Sequence, residues 1–300
     1  MQRVKYIPSY LFSGLFHLLA LLPMSFLHVL SSFTAFLMSD IVRYRRRIVM
    51  ENLRNSFPGK DEAEIRKIAR KFYLNLTDVE FETIKLLRIS DREIIRRCRI
   101  REEDKSMILD MYANRISFIG MLGHLGNWEW VPPATTLNLP FKIVPVYRPL
   151  KDKVIDRLML KLRGRYAAEL VSKKLTGRAL VKYIKGGDPF VLGLISDQTP
   201  TPKTAYWIDF LNQETPVYYG PEKLARSTGM PVIFVAMRRQ GRGKYLLHIE
   251  LITDNPSGMK EGEITLKFMK LLEKEIERSP SDWLWSHRRW KHKRAETPAG

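Results

Sequence analysis

From Ile116 onward the chain alternates short apolar runs, rich in β-branched and aromatic residues, with longer mixed segments. This alternation limits the fold more than any other feature. Strands are expected at Ile116–Leu122, Phe141–Tyr147, Pro189–Ile195, Pro231–Met237 and Tyr245–Ile252. Helices are expected near Lys151–Leu162, Thr176–Lys185, Tyr218–Thr228 and Glu261–Arg278. A chain of this kind folds as α/β, with a mixed, mostly parallel sheet flanked by helices. Gln240-Gly241-Arg242-Gly243 reads as the turn of a final antiparallel hairpin. Functional loops in such sheets gather beyond the carboxyl ends of strands. Three polar clusters stand there: Gly123-His124-Leu125-Gly126-Asn127-Trp128-Glu129, Tyr147-Arg148-Pro149 and Ser196-Asp197-Gln198.

The N-terminal part obeys another pattern. No Asp, Glu, Lys or Arg occurs from Tyr6 through Ser39. Roughly 20 apolar residues span a bilayer core, so the run is long enough to reach across one. Pro23 and several serines divide it, which leaves two forms open: one kinked span, or two shorter helices lying in the interface. The run is longer than the apolar part of a cleaved leader. Arg43, Arg45, Arg46 and Arg47 follow at once, suit anionic headgroups and keep the remainder of the chain cytoplasmic. Residues 1–40 therefore read as a membrane-associated helical anchor, and 41–300 as a catalytic domain. Asp61 with Glu64 forms a capping box that opens a helix running through about Leu74 or beyond, and Ser90 with Glu93 forms a second. The tail from Lys291 is basic, then polar, and expected to fray.

Lys and Arg exceed Asp and Glu by 19 charges, which favours a polyanionic partner such as an anionic membrane, a phosphorylated substrate or nucleic acid. The single cysteine, Cys98, excludes an internal disulfide and makes a cysteine-based metal site a poor fit. With no motif around it, Cys98 reads as structural.

His124 and Glu129 are a base and a carboxylate on a glycine-containing turn. Residues five apart do not face each other on a regular helix. Gly123 and Gly126 permit an irregular turn on which Glu129 folds back onto the imidazole. That pairing would ready His124 to take a proton from an alcohol, which points to acyl transfer. The bland reading is a capped polar turn. Arg148, in a strand-end loop, suits an anionic headgroup. Asp197 could organise such arginines, contact sugar hydroxyls or cap a helix. Trp283, Trp285 and Trp290, beside Arg288, Arg289 and Lys291, fit a membrane interface, stacking on single-stranded nucleic acid, or a buried aromatic element.

Taken in order, these blocks resemble the bacterial lipid A biosynthesis acyltransferases, the late lauroyl and myristoyl transferases of the lysophospholipid acyltransferase superfamily. The resemblance rests on the apolar N-terminus, Asn52-Leu53 with Phe57-Pro58, the His124–Glu129 block, Tyr147-Arg148-Pro149, Ser196-Asp197-Gln198 and Trp283–Lys291. It implies transfer of an acyl group from an acyl carrier protein thioester to a hydroxyl of a phosphorylated glycolipid, at the cytoplasmic face of a bacterial inner membrane. It also implies direct attack, with no metal and no cofactor. His124 and Glu129 would be catalytic. Asn127, Arg148, Arg163 or Arg165, Asp197, Gln198, Arg288 and Arg289 would bind substrate. Two alternatives remain. One is a relative acting on another glycolipid or phospholipid, with acyl-CoA a possible donor. The other is a non-catalytic basic protein tethered to a membrane. Nucleic acid fits the resemblance poorly.

Overall fold

A computed structural model describes residues 14–150, 152–202 and 205–294. The first part of the uncharged run, 6–13, the expected helix start at Lys151 and the polar end of the tail lie outside them. Seven strands form the main sheet in the order β1-β9-β8-β2-β5-β3-β4. They are β1 (Cys98–Ile100), β2 (Phe118–Leu122), β3 (Lys142–Tyr147), β4 (Val171–Ser172), β5 (Phe190–Ile195), β8 (Val232–Gly241) and β9 (Lys244–Thr253). All neighbouring pairs are parallel except β8–β9, the expected hairpin. All five expected strands form. Short β1 and β4, and a separate antiparallel pair β6 (Ala205–Phe210) and β7 (Gln213–Tyr218), add to them.

Alternation along the strands divides the interior in two. Ile119 and Met121 of β2 face one core, with Leu192, Leu194 and Phe234. Phe118 and Leu122 face the other, with Val191, Ile233 and Val235. Both faces of β2 are buried, as a central parallel strand requires. Helix α3 (Glu62–Lys85), α8 (Thr176–Gly186), α9 (Gly220–Thr228) and α10 (Glu263–Arg278) cover the first face. Helices α5 (Glu102–Ala113), α6 (Val131–Asn138) and α7 (Lys153–Gly164) cover the second. Asp61 and Glu64 make the expected reciprocal cap at the start of α3, which continues well past Leu74. Ser90 caps α4 (Asp91–Arg97) by accepting from the Glu93 N–H. Cys98 is buried and, as expected, structural; burial, with Glu82 nearby, pushes its thiol pKa well up.

The topology opens a crevice. β2 connects through α6 to β3, two places away in one direction; β5 connects through β6, β7 and α9 to β8, two places away in the other. Their crossing helices pack on opposite faces. The loops therefore diverge between the carboxyl ends of β2 and β5, the position at which open α/β sheets bind ligands.

The apolar N-terminal segment does not stand apart from this body. A helical stretch at 14–19 is followed by α1 (Met24–Phe36), which begins after Pro23 and runs into a π-helical turn at Leu37–Ile41. One face of α1 docks on α3: Ser31 donates to Asp78, and His28 Nε2 lies 3.0 Å from Glu82 Oε1. Its other face exposes Phe26, Val29, Phe33 and Phe36. Met24–Ile41 is the one described helix long and apolar enough to cross a membrane. Helix α2 (Arg46–Ser56) follows and ends just before Phe57-Pro58.

The loop after β2 is irregular, as its glycines require. Gly126 has φ +58°, and a Cβ there would lie 1.9 Å from the Met237 carbonyl oxygen. Its N–H donates to the Asp282 carbonyl, and Leu125 bridges to Trp283. Gly229, at the end of α9, has φ +70° with open space around it. Gly229→Ala should therefore cost only left-handed strain, about 1–2 kcal/mol. Gly126→Ala should cost clearly more, because its carbonyl neighbour belongs to a sheet strand. Denaturant unfolding of both variants measures the difference; equal losses would show that the loop can move aside.

Candidate active site

Three strand-end loops meet over the crevice. Because β5 pairs with β2 in register, Leu122 opposite Ile195, the residues that follow each strand stay adjacent. The Ser196 N–H donates to the Leu122 carbonyl. One step further, Asp197 reaches His124. Asp197 Oδ1 lies 2.6 Å from His124 Nδ1, and Oδ2 accepts the His124 backbone N–H at 2.7 Å. The Trp283 indole N–H donates to the same Oδ2 at 2.9 Å. A Cβ at Gly123 would lie 3.2 Å from that oxygen and 2.7 Å from Leu272, so the backbone there runs close to the carboxylate.

Asp197 is only 2% exposed. Burial alone would raise its pKa, but the charge and hydrogen bonds of His124, with the Trp283 donor, hold it at about 2. His124 shows the converse balance. Burial disfavours the imidazolium, yet Asp197's charge and hydrogen bond outweigh that and raise the pKa above the ordinary imidazole value. In the neutral ring the proton belongs on Nδ1, facing Asp197, which leaves the Nε2 lone pair free. Gln198 Nε2 is 3.3 Å from His124 Nε2, a long bond that an arriving hydroxyl could replace. The Trp128 ring packs edge-on against the imidazole, with centroids 5.1 Å apart.

Glu129 does not fold onto His124 as the sequence suggested. A 3-10 turn at Trp128–Trp130 points it at α7, where Arg163 donates to both carboxylate oxygens at 2.9 and 2.6 Å. Burial opposes the Arg163 charge, but these bonds hold the guanidinium protonated. Glu129 raises the His124 pKa and Arg163 lowers it, so the pair acts on the imidazole through space with opposite signs. Asp197, expected to touch substrate or to organise arginines, occupies the position expected of Glu129. The signal that would have revealed this is the adjacency of β2 and β5, which lies in strand order and not in local spacing.

The remaining expected residues divide. Of the two α7-end arginines, Arg163 belongs to the crevice. Arg165 instead donates to the Leu86 carbonyl and to Asp91, both at 3.1 Å. Arg148 is exposed at the end of β3, on the rim. Asn127, expected to contact substrate, is fully buried and donates to Glu82 at 2.7 Å, which ties the loop to α3. Arg288 is exposed, whereas Arg289 is fully buried and donates to the Pro216 carbonyl at 2.6 Å. Burial lowers the Arg289 pKa to about 10, so it remains charged behind Asp197.

Trp283 and Trp285 are core residues, packed edge to face at 4.8 Å, and not an interfacial or base-stacking surface. Both can be buried because their indole N–H groups are bonded, Trp283 to the Asp197 carboxylate and Trp285 to the Pro280 carbonyl. His287 accepts from the Thr199 N–H, and burial lowers its pKa to about 4; it is a neutral structural imidazole. No cluster of His, Cys, Asp and Glu fit to hold a metal occurs among the described residues.

A buried aspartate that orients an imidazole, whose second nitrogen faces a strand-end crevice, is a proton-transfer arrangement. Comparison with known proteins gives it a context. The chain is 25% identical over 297 residues to the lipid A biosynthesis lauroyltransferase of Escherichia coli (strain K12), covering 98% of this chain and 95% of that one. Residues 1–292 match the family described as bacterial lipid A biosynthesis acyltransferase. The chain belongs to that family and is an acyltransferase.

Proposed function

We propose that the protein moves a fatty acyl group from an acyl carrier protein thioester to a hydroxyl of a lipid A precursor at the inner membrane, with His124 as base and Asp197 as its support. The observation that carries this reading is the Asp197–Nδ1 hydrogen bond, which leaves His124 Nε2 available at the crevice. The acceptor oxygen attacks the thioester carbonyl carbon while its proton passes to Nε2. Collapse of the adduct breaks the C–S bond, and the imidazolium returns the proton to the departing thiolate. Base catalysis of this type contributes about 10²–10⁴-fold. Glu129 fixes Arg163, and Arg163 with rim residue Arg148 offers guanidinium groups to the acceptor's anionic groups.

The exposed apolar face of the N-terminal helices, with Leu15, Leu18, Phe26, Phe33 and Phe36, suits contact with the bilayer. Arg43, Arg46 and Arg47 are exposed just beyond it and suit anionic headgroups on the cytoplasmic leaflet. This supports an interfacial anchor docked on α3 over a free span.

Membranes carrying His124→Ala should lose transfer to a hydroxyacylated lipid A precursor by about 10²-fold or more while the protein stays membrane-associated. Mass spectrometry of the product checks this. Near-normal transfer would remove His124 from the mechanism, and an accumulating acyl-protein would replace direct attack. Transfer only to a different glycolipid or a phospholipid would change the acceptor.

The pH dependence tests the dyad separately. His124 must be neutral to act, so the acid limb of kcat/KM should lie above the ordinary imidazole pKa. Asp197→Asn removes the charge that outweighs burial. Its acid limb should move to lower pH, with the plateau rate reduced about 10²–10⁴-fold because tautomer and orientation are lost. An unmoved limb would show that Asp197 does not set the basicity of His124.

A further inference from the structure

Helix α8 differs from the other helices. Among the described residues it is the one helix of eight residues or more that carries lysine or arginine and no carboxylate. It buries Thr176, Ala179 and Leu180 and turns Arg178, Lys182 and Lys185 outward, with exposed Val181 and Ile184 between them. Residues three and four apart share a helix face, so Arg178, Val181, Lys182 and Lys185 form one stripe. Lys182 pairs with Glu169, whereas Arg178 and Lys185 have no carboxylate partner among the described residues. Lys173, Lys174 and Leu175 extend the stripe at its entry and are also exposed.

The stripe begins at the crevice. Strand β4 pairs with the end of β3, Ser172 opposite Tyr147, so α8 starts beside the Arg148 rim. Lys173 Nζ sits 3.9 Å from the centroid of the Tyr218 ring. The Tyr218 hydroxyl in turn donates to the carbonyl of Thr199, two residues past Asp197. The uncharged helix α1 lies toward the other edge, where Arg242 of the β8–β9 turn donates to the His28 carbonyl. From β9 to β4 is five strand positions, on the order of 24 Å. The two outward helices therefore differ in kind: α1 is apolar, with its arginines confined to the segment after it, and α8 carries cations along its length.

We propose that the outward face of α8, with Lys173 and Lys174 at its entry, is the docking surface for an acidic protein that delivers the acyl thioester. The proposal rests on the acyl-transfer reading above. A bilayer fits this face less well. An interfacial helix turns an apolar face outward. Here that face is buried in the core, and isolated apolar residues stand among cations. Cations around small apolar anchors match an acidic helix of a protein partner, for which charge sets the encounter rate.

The test compares two donors with Arg178→Glu/Lys185→Glu, a change of exposed groups that neither bond to His124 nor enter the balance of charges that sets its pKa. With the acyl carrier protein thioester, KM should rise about tenfold or more at low salt, and kcat should stay within about twofold. With a small acyl-pantetheine thioester, neither constant should change. The wild-type KM for the protein donor should rise with salt, and that of the variant should not. Arg178→Gln/Lys185→Gln should give a smaller shift in the same direction. Equal effects on both donors, or none on either, overturn the proposal. So does selective loss of binding to phosphatidylglycerol vesicles with donor KM unchanged, which would make α8 a membrane contact. If the wild-type protein transfers from neither thioester, the functional reading fails and this proposal with it; if it transfers from both and the variants match it, the docking surface alone fails.

Discussion

The buried Asp197 carboxylate ties the structure together. An isolated carboxylate out of water is unfavourable by several kcal/mol or more. Here three N–H groups converge on it, one from the His124 ring, one from the His124 backbone and one from Trp283. They come from the end of β2 and from the C-terminal segment, while Asp197 follows β5. The charge can persist only while these three parts of the chain remain together. The same contacts define the imidazole: its tautomer, its direction and its basicity all follow from one side chain. Arg289 lies behind, also fully buried and charged, and adds a favourable field without touching the imidazole.

A set of buried polar and charged side chains on α3 fixes how the N-terminal helix sits over this centre. Asn75, Asp78 and Glu82 are three and four residues apart and so share a face. Asn75 donates to Asp282, Asp78 pairs with Arg239 and Arg242, and Glu82 accepts from Asn127 and Tyr245 while meeting His28. One helix thus connects the C-terminal segment, the hairpin, the loop of His124 and α1. Breaking one partner from such a network leaves a buried charge uncompensated, which is strongly destabilising. An apolar helix held in this way keeps one position relative to the crevice.

Local chemistry was legible in the sequence. The five long strands, the hairpin turn and the Asp61–Glu64 cap each depend on neighbours in the chain, and each formed. The elements missed were short, such as β1 and β4, or, like the β6–β7 pair, lay outside the main sheet, where β6 is largely apolar and β7 interrupted by Pro216, so no strict alternation marks either. The site was half legible. His124 and the three loops were apparent because they follow strands. The partner of His124 was not, because it depends on β5 lying beside β2. The same holds for Asn52, whose amide donates to the carbonyls of Trp285 and His287 from the other end of the chain. Both belong to blocks that carried the family resemblance, yet their meeting is a property of the fold alone.

The departure at Glu129 clarifies how the site divides its tasks. Had Glu129 bound the imidazole, Arg163 would have lost its bidentate partner and stood as a free cation beside a group that must accept a proton. A cation there lowers the basicity of His124; a lone carboxylate would raise it. Paired, the two offset each other and leave that basicity to Asp197. The guanidinium is nonetheless held rigidly, with its outer edge able to face an anion. Proton transfer and anion recognition can then sit side by side over one crevice, each with its own carboxylate, the buried Asp197 and the half-buried Glu129, without either spoiling the other's charge.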